Sequence, residues 1–303
     1  MTLSIHPTVH LANQQTLTGI WNKRRYKIVR KIGEGARGSI YLATMNQRFV
    51  AVKISQDTSV ISREVNTLNM LKKVQAIQLG PLLLDVDDAY INKHEKLPFY
   101  VMEYIDGVPM NRFIKQKGMK WLLPISSQLL HQLYYLHQIG YVYGDLKPEN
   151  ILIDKQTKQA RLVDVGGITQ FGRSIREYSA TYDRGYWGLG SRKADPAYDL
   201  FALAASMMMM DPKIKSHSSQ TKNIFALLAR GNQMKPYAAV IEKALKGHYS
   251  SALDMKRALS KIATRNKANQ ARKKKLDEPS YKVELISIGT ILTVHALILY
   301  YVL

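Results

Sequence analysis

Between Lys27 and Ala43 the chain reads KIVRKIGEGARGSIYLA: an apolar alternation, then Gly33-Glu34-Gly35-Ala36-Arg37-Gly38, then a second alternation. In a dinucleotide-binding βαβ unit such glycines open a helix. Here SIYLA, followed after a turn at Met45-Asn46-Gln47 by QRFVAVKIS, has the period of strands, so the loop joins two β-strands. Residues without Cβ let backbone N–H groups approach phosphate oxygens, and a hairpin of this composition can lie over a nucleotide. A glycine-rich turn without a ligand is the alternative that the loop alone leaves open.

More of the pattern follows. Val50-Ala51-Val52-Lys53 lies on the next strand, and the helical stretch VISREVNTLNMLKKV after it offers Glu64, which can reach Lys53 across a short connection. Downstream stand Tyr143-Gly144-Asp145-Leu146-Lys147-Pro148-Glu149-Asn150-Ile151-Leu152 and then Asp164-Val165-Gly166. Taken in order, from about Trp21 to Ala263, these segments resemble the eukaryotic-type (Hanks-type) protein kinase family. EYSATYDRGYWGLGSRKADPAYDLFALA, the early MEYIDG and a basic linker ahead of an apolar C-terminal stretch are similar to the tail-anchored, sporulation-associated serine/threonine kinases of Bacillus-type bacteria, the YabT type.

The resemblance implies an α+β, bilobal fold: a small β-rich lobe with the Glu64 helix, over about 21–105, set against a larger helical lobe over about 106–264. It implies ATP with Mg²⁺ or Mn²⁺, bound under a loop made of Ile32, Gly33, Glu34, Gly35, Ala36, Arg37, Gly38, Ser39 and Ile40. Lys53 would hold the α- and β-phosphates and be held by Glu64. Met102 would sit behind the adenine, the backbone of Glu103 and Ile105 would meet the base edge, and Ala51 and Ile40 would wall the ring. Phosphoryl transfer needs positioning and charge neutralisation more than covalent chemistry. By the same resemblance Asp145 would accept or orient the proton of the acceptor hydroxyl, Lys147 would offset charge on the moving γ-phosphoryl, and Asn150 and Asp164 would give a hard cation its oxygen ligands. Asp199 corresponds to the family's buried aspartate under the catalytic loop. His137, in the helical LPISSQLLHQLYYLHQIGY that ends at Gly140, and Met207 to Met210 read as packing residues.

Three departures stand beside these matches. Gly144 replaces an arginine that in the family clamps a phosphorylated activation loop, so activity should not depend on such a clamp at Ser174, Ser179 or Thr181. Val165 replaces the usual Phe, and Gly188-Leu189-Gly190 stands where the family has Ala-Pro-Glu, removing its anchoring glutamate. They keep a second reading in view, a pseudokinase or nucleotide-binding scaffold. Lys147-Pro148-Glu149-Asn150 is the serine/threonine kinase form of the loop and argues for protein Ser/Thr acceptors, the chain itself included.

Composition bears on location and partners. There is no cysteine, which excludes a disulfide framework and a thiolate metal site. MTLSIHPTVH lacks the basic start and apolar run of a secretory signal. Leu285 to Leu303 is free of Asp, Glu, Lys and Arg, and as a helix it would span about 28 Å, close to a hydrocarbon core. The polar stretch 265–284, with Arg272, Lys273, Lys274 and Lys275, reads as a linker, and its charge keeps residues 21–264 cytoplasmic and the C-terminus at the outer face of the cell membrane. The net charge is +21, and two blocks carry almost all of it: six basic and no acidic residues in 23–31, and sixteen basic against two acidic in 213–275. The second block marks DNA or anionic lipid as its partner. Residues 1–20 read as an extension ahead of the kinase domain.

Overall fold

The structure is a computed structural model. It describes residues 9–35, 37–73, 79–92, 95–217, 221, 223–277 and, near the C-terminus, 290, 291, 293, 294, 297 and 298. The chain divides into two compact units, 1–259 and 260–303.

The first unit begins with a six-stranded antiparallel sheet of β1 (Thr16–Thr18), β2 (Arg25–Gly35), β3 (Gly38–Met45), β4 (Arg48–Ile54), β5 (Leu83–Tyr90) and β6 (Lys96–Glu103), in the order β1-β2-β3-β4-β6-β5. β2 and β3 are the two arms of the glycine loop, and the β3–β4 turn is the tight pair Asn46-Gln47, both at positive φ (49° and 64°). Between β4 and β5 runs α1 (Thr58–Lys72), capped by Asp57, whose carboxylate accepts from Ser59 N at 2.8 Å. Its buried face, Val60, Ile61, Glu64, Leu68 and Leu71, follows the helical repeat, with one carboxylate set among apolar neighbours.

Residues read as an extension are built into this lobe, which moves its boundary from Trp21 back to Val9. β1 pairs with β2. Val9, Leu11 and Leu17 share a core with Tyr26, Ile28, Tyr41, Val52 and Phe99. Tyr41 fastens the segment, its hydroxyl donating to Val9 O at 2.7 Å and accepting from Leu11 N at 3.1 Å. β5 reverses the usual alternation, burying Asp85 and Asp87 while Leu84 and Val86 face out at 41% exposure each. The reason is again the N-terminal segment. Asp87 accepts from Trp21 N (2.9 Å) and Asn22 N (2.7 Å), and Asp85 accepts from Asn22 Nδ2 (2.6 Å) and from the Tyr26 hydroxyl.

After the short β7 (Gly107–Pro109) and α2 (Met110–Lys117), the second lobe is organised on α3 (Leu122–Gln138) and α4 (Pro196–Met208). α3 buries Leu122, Ile125, Leu129, Leu130, Leu133 and Leu136 along one stripe and stops at Gly140, φ +81°. α4 is capped by Asp195, starts with Pro196 and buries every side chain from Tyr198 to Met208, so it is the lobe's central helix. Met207 and Met208 are fully buried there, as packing residues. Between the two helices lie β8 (Tyr141–Val142), β9 (Ile151–Asp154), β10 (Ala160–Leu162) and β11 (Thr169–Gln170); β7, β9 and β10 form one small sheet, β8 and β11 another. α5 (Pro212–His217), α6 (Ile224–Arg230) and α7 (Ala238–Leu245) complete the lobe, and α8 (Ala252–Asp277) runs on into the second unit.

Among the described residues no helix is long and apolar enough to cross a membrane. Most of 285–303, the stretch read as a span, lies outside the described residues.

Candidate active site

Lys53 is the only charged side chain of the buried inner half of β4, and a buried ammonium needs an acid. α1 supplies it. Lys53 Nζ lies 2.6 Å from Glu64 Oε1, and the two residues are 7% and 3% exposed. The second oxygen, Oε2, accepts from the Tyr100 hydroxyl at 3.0 Å, Tyr100 being the residue opposite Lys53 on β6. Burial, with Glu64 beside it, pushes the Tyr100 phenol well above its ordinary pKa, so it remains a donor. Sheet and helix are thus locked in the register that Lys53 needs.

The catalytic loop follows β8. Asp145 is gripped from two sides: Lys147 Nζ lies 2.6 Å from Oδ2, and Asn150 Nδ2 donates to the Asp145 carbonyl (3.0 Å) and to Oδ2 (3.2 Å). Ser179, from the segment after Asp164, brings its hydroxyl to 3.3 Å from Lys147 Nζ and 3.4 Å from Asp145 Oδ1. Sequence reasoning counted Ser179 only as a loop hydroxyl; it belongs to the catalytic cluster, so its replacement tests that cluster rather than a loop clamp. Asn150 and Asp164 are brought together by Val163 N, which donates to Asn150 O at 3.1 Å. An amide and a carboxylate suit a hard cation that completes its shell with phosphate and water oxygens. Consistently, no group of three or more His, Cys, Asp or Glu side chains forms a metal cage among the described residues.

Beneath the loop, Asp199 is fully buried and accepts from Tyr143 N (2.8 Å) and Gly144 N (2.9 Å), with His137 Nε2 at 2.9 Å from the same carboxylate. His137 is therefore a brace and not a base. The missing arginine has a steric cause. Gly144 sits at φ +82°, and a Cβ there would stand 2.4 Å from the Gly167 carbonyl oxygen. No side chain fits without moving the loop.

The nucleotide-side residues divide. Gly38, at φ +131°, brings the end of the loop so close to β4 that a Cβ would meet Ile54 O at 2.3 Å. Ala51 pairs in register with Met102 and Leu42, Ile40 with Lys53 and Gly33, and Met102 and Ile105 are both 6% exposed. Ile32, at 36%, is open to solvent beside Gly33 and Gly35; Ala36 lies outside the described residues. Three others have defined surroundings. Glu34 pairs with Lys31 at 2.9 Å, the Ser39 hydroxyl is buried in the lobe, and Glu103 donates its amide to Leu82 O at 2.8 Å. The Glu103 carboxylate takes a two-pronged pair from Arg161 (3.1 and 2.9 Å), tying the strand between the lobes to β10.

The absent Ala-Pro-Glu anchor has a substitute. Asp183, fully buried, accepts from Gly185 N, Tyr186 N, the Tyr198 hydroxyl (3.0 Å) and Arg192 Nε (2.8 Å). Arg184 forks onto Asp195, the cap of α4, at 2.9 and 2.6 Å. The segment that carries Ser179 is therefore pinned to the central helix by an Asp-Arg pair of its own.

A closed Lys53–Glu64 pair, an aspartate flanked by a lysine and an asparagine, and a braced loop together suit phosphoryl transfer. The family model for the protein kinase domain matches residues 26–274. The chain belongs to the protein kinase family. The kinase is 42% identical over 245 residues to the serine/threonine-protein kinase YabT of Bacillus subtilis, covering 80% of this chain and 72% of YabT. It is 27% identical over 220 residues to serine/threonine-protein kinase F of Synechocystis, covering 61% of this chain and 43% of that protein. Among solved structures, the kinase domain of Mycobacterium tuberculosis PknI is similar in fold: TM-score 0.60 at 20% identity, over 84% of this chain and 100% of that one. Vaccinia related kinase 3 gives a TM-score of 0.62 at 16% identity, over 86% and 93%. The enzyme is a serine/threonine protein kinase.

Proposed function

We propose that this kinase is anchored in a membrane by residues 285–303, faces the cytoplasm, and phosphorylates protein serine and threonine hydroxyls, its own included, from ATP. The observation that carries the chemistry is the Asp145 carboxylate held between Lys147, Asn150 and Ser179. In the transfer, the acceptor oxygen bonds to the γ-phosphorus as the bond from that phosphorus to the ADP oxygen breaks, and the hydroxyl proton passes to Asp145. Lys147 faces the charge that moves across, and Lys53, fixed by Glu64, is placed to hold the remaining phosphates. Asn150 and Asp164 would hold Mg²⁺ or Mn²⁺, which when bound supplies charge neutralisation along the phosphates. Acid hydrolysis of the chain, and of a basic acceptor protein, after incubation with γ-labelled ATP and Mg²⁺ should give labelled phosphoserine or phosphothreonine. Label on tyrosine alone, or none, would refute the reading.

The anchor rests on the apolar run 285–303, and its orientation on the basic residues before it. The sixteen basic residues in 213–275 support an anionic partner beside it, each worth roughly 1 kcal/mol near an anionic surface. The full chain is expected to float with phosphatidylserine vesicles in high salt, whereas a chain ending at residue 284 floats only in low salt; equal flotation in high salt would remove the span. Titration of the shortened chain with duplex DNA at both salt levels decides whether DNA phosphates share the basic block with lipid.

A further inference from the structure

We propose that the guanidinium of Arg37 is a phosphate-contacting group of this kinase, held at the reacting end of the cleft by Glu177. The inference rests on the phosphotransfer reading of the site and gives the Arg37 side chain, beyond its place in the glycine loop, a role of its own.

Arg37 is the last residue before Gly38, the point where the loop is pressed against the Ile54 carbonyl, so its backbone is fixed close to β4. Its side chain is 32% exposed, and its guanidinium is turned toward the segment after Asp164. Nη1 pairs with Glu177 Oε1, two residues before Ser179, so the tip of the glycine loop is joined to the segment that carries a catalytic-cluster hydroxyl. A Cβ built on Gly166 marks the place: it would stand 3.0 Å from Arg37 Nη1, 3.0 Å from Glu64 Oε1 and 3.3 Å from Asp164 Oδ1. One small volume thus gathers the cation of Arg37, the carboxylate that holds Lys53 and the metal-side carboxylate. Burial lowers the Arg37 pKa, and the carboxylates of Asp164, Glu64 and Asp145 oppose that shift. An arginine retains its charge under such conditions.

What this cation can do follows from its shape. A guanidinium offers five donors in a plane. Glu177 takes one edge, and among the described residues no acceptor is seated on Nε or Nη2. A fork of this kind matches phosphate oxygens, and one carboxylate on its other edge fixes its direction. The Asp164 carboxylate on the metal side, and the tie through Glu177 to the segment that carries Ser179, aim it at the γ-phosphoryl rather than at the phosphates assigned to Lys53. A tether between loop and segment would serve equally well with lysine, and it would treat ATP and ADP alike. Those two features separate the proposal from a structural tie.

The test compares ATP with ADP. Binding of each, with Mg²⁺, is measured by calorimetry on the full chain carrying Asp145→Asn so that ATP survives, with and without Arg37→Gln, Arg37→Lys and Glu177→Gln. Arg37→Gln should weaken ATP by about 10- to 100-fold, the size of a lost charged hydrogen bond, and leave ADP within about twofold. Arg37→Lys should recover only part of the ATP affinity, because a point charge lacks the fork. Glu177→Gln should weaken ATP in the same direction by less. With Asp145 restored, Arg37→Gln should lower the transfer rate at saturating ATP. Equal weakening of ATP and ADP, tighter binding of either in Arg37→Gln or Glu177→Gln, or full rescue by lysine would overturn the proposal. Absence of ATP binding and transfer in the unaltered chain would instead overturn the kinase reading beneath it.

Discussion

Asp145→Asn is expected to lower phosphoryl transfer by about 10²- to 10⁴-fold, the range a positioned proton acceptor contributes, while ATP binding stays within a few-fold. The carboxylate sits between Lys147 at 2.6 Å and Asn150 at 3.2 Å, so its amide replacement keeps the volume and loses the basicity. It also leaves Lys147 without its ionic partner, and the freed ammonium should bind the γ-phosphate no less tightly. A rate within tenfold of the parent would mean that another group takes the proton, and Asp145 would be reduced to a spacer.

The second large effect lies under the loop. Asp199 is fully buried and carries three contacts, to Tyr143 N, Gly144 N and His137 Nε2, all between 2.8 and 2.9 Å. Asp199→Ala strands two amide N–H groups and an imidazole in the interior and opens a hole. Breaking a buried network of this kind costs about 3–5 kcal/mol, the lower part of what three unsatisfied groups at about 1–3 kcal/mol each would sum to. For a domain of this size that lowers the melting temperature by roughly 10 °C. Gly144 makes the effect catalytic as well. Its positive φ is held by the hydrogen bond to Asp199, so without the carboxylate the loop and Asp145 shift together. Calorimetric melting with a parallel activity measurement checks both; a melting temperature within about 2 °C of the parent would show that the brace is dispensable.

Lys53, Glu64, Asp145, Asn150 and Asp164 stood out in the sequence through the resemblance of their motifs to the protein kinase family, and the structure sets Lys53 on Glu64 and Asn150 on Asp145. The two lobes followed from the strand period before Lys53 and the helical period before Gly140. What escaped notice depends on partners distant in sequence. Thr16 to Thr18 is too short for its alternation to betray a strand; it becomes one by pairing with β2, and the residues ahead of it are held by the Tyr41 hydroxyl on Val9 and Leu11. The pattern of β5 points the wrong way because its aspartates are neutralised by groups some sixty residues earlier. Gly144 read as a lost arginine, whereas the approach of the Gly167 carbonyl forbids any side chain there. The anchor that replaces Ala-Pro-Glu is built from Asp183, Arg184 and Arg192 in a loop without period, and only the burial of Asp183 against Tyr198 of α4 reveals it. Glu103 was assigned by its backbone, yet its carboxylate ties the strand between the lobes to Arg161.

Transfer of a phosphoryl group from ATP to a protein hydroxyl in this cleft is measured by rapid-quench single turnover, with the full chain, Mg²⁺ and ATP labelled in both the adenosine and the γ-phosphate. One ADP should form for each phosphoserine or phosphothreonine ester, at a rate that collapses in Asp145→Asn. ADP formed without ester would instead make the protein an ATP hydrolase, and bound ATP that remains intact would make it a pseudokinase.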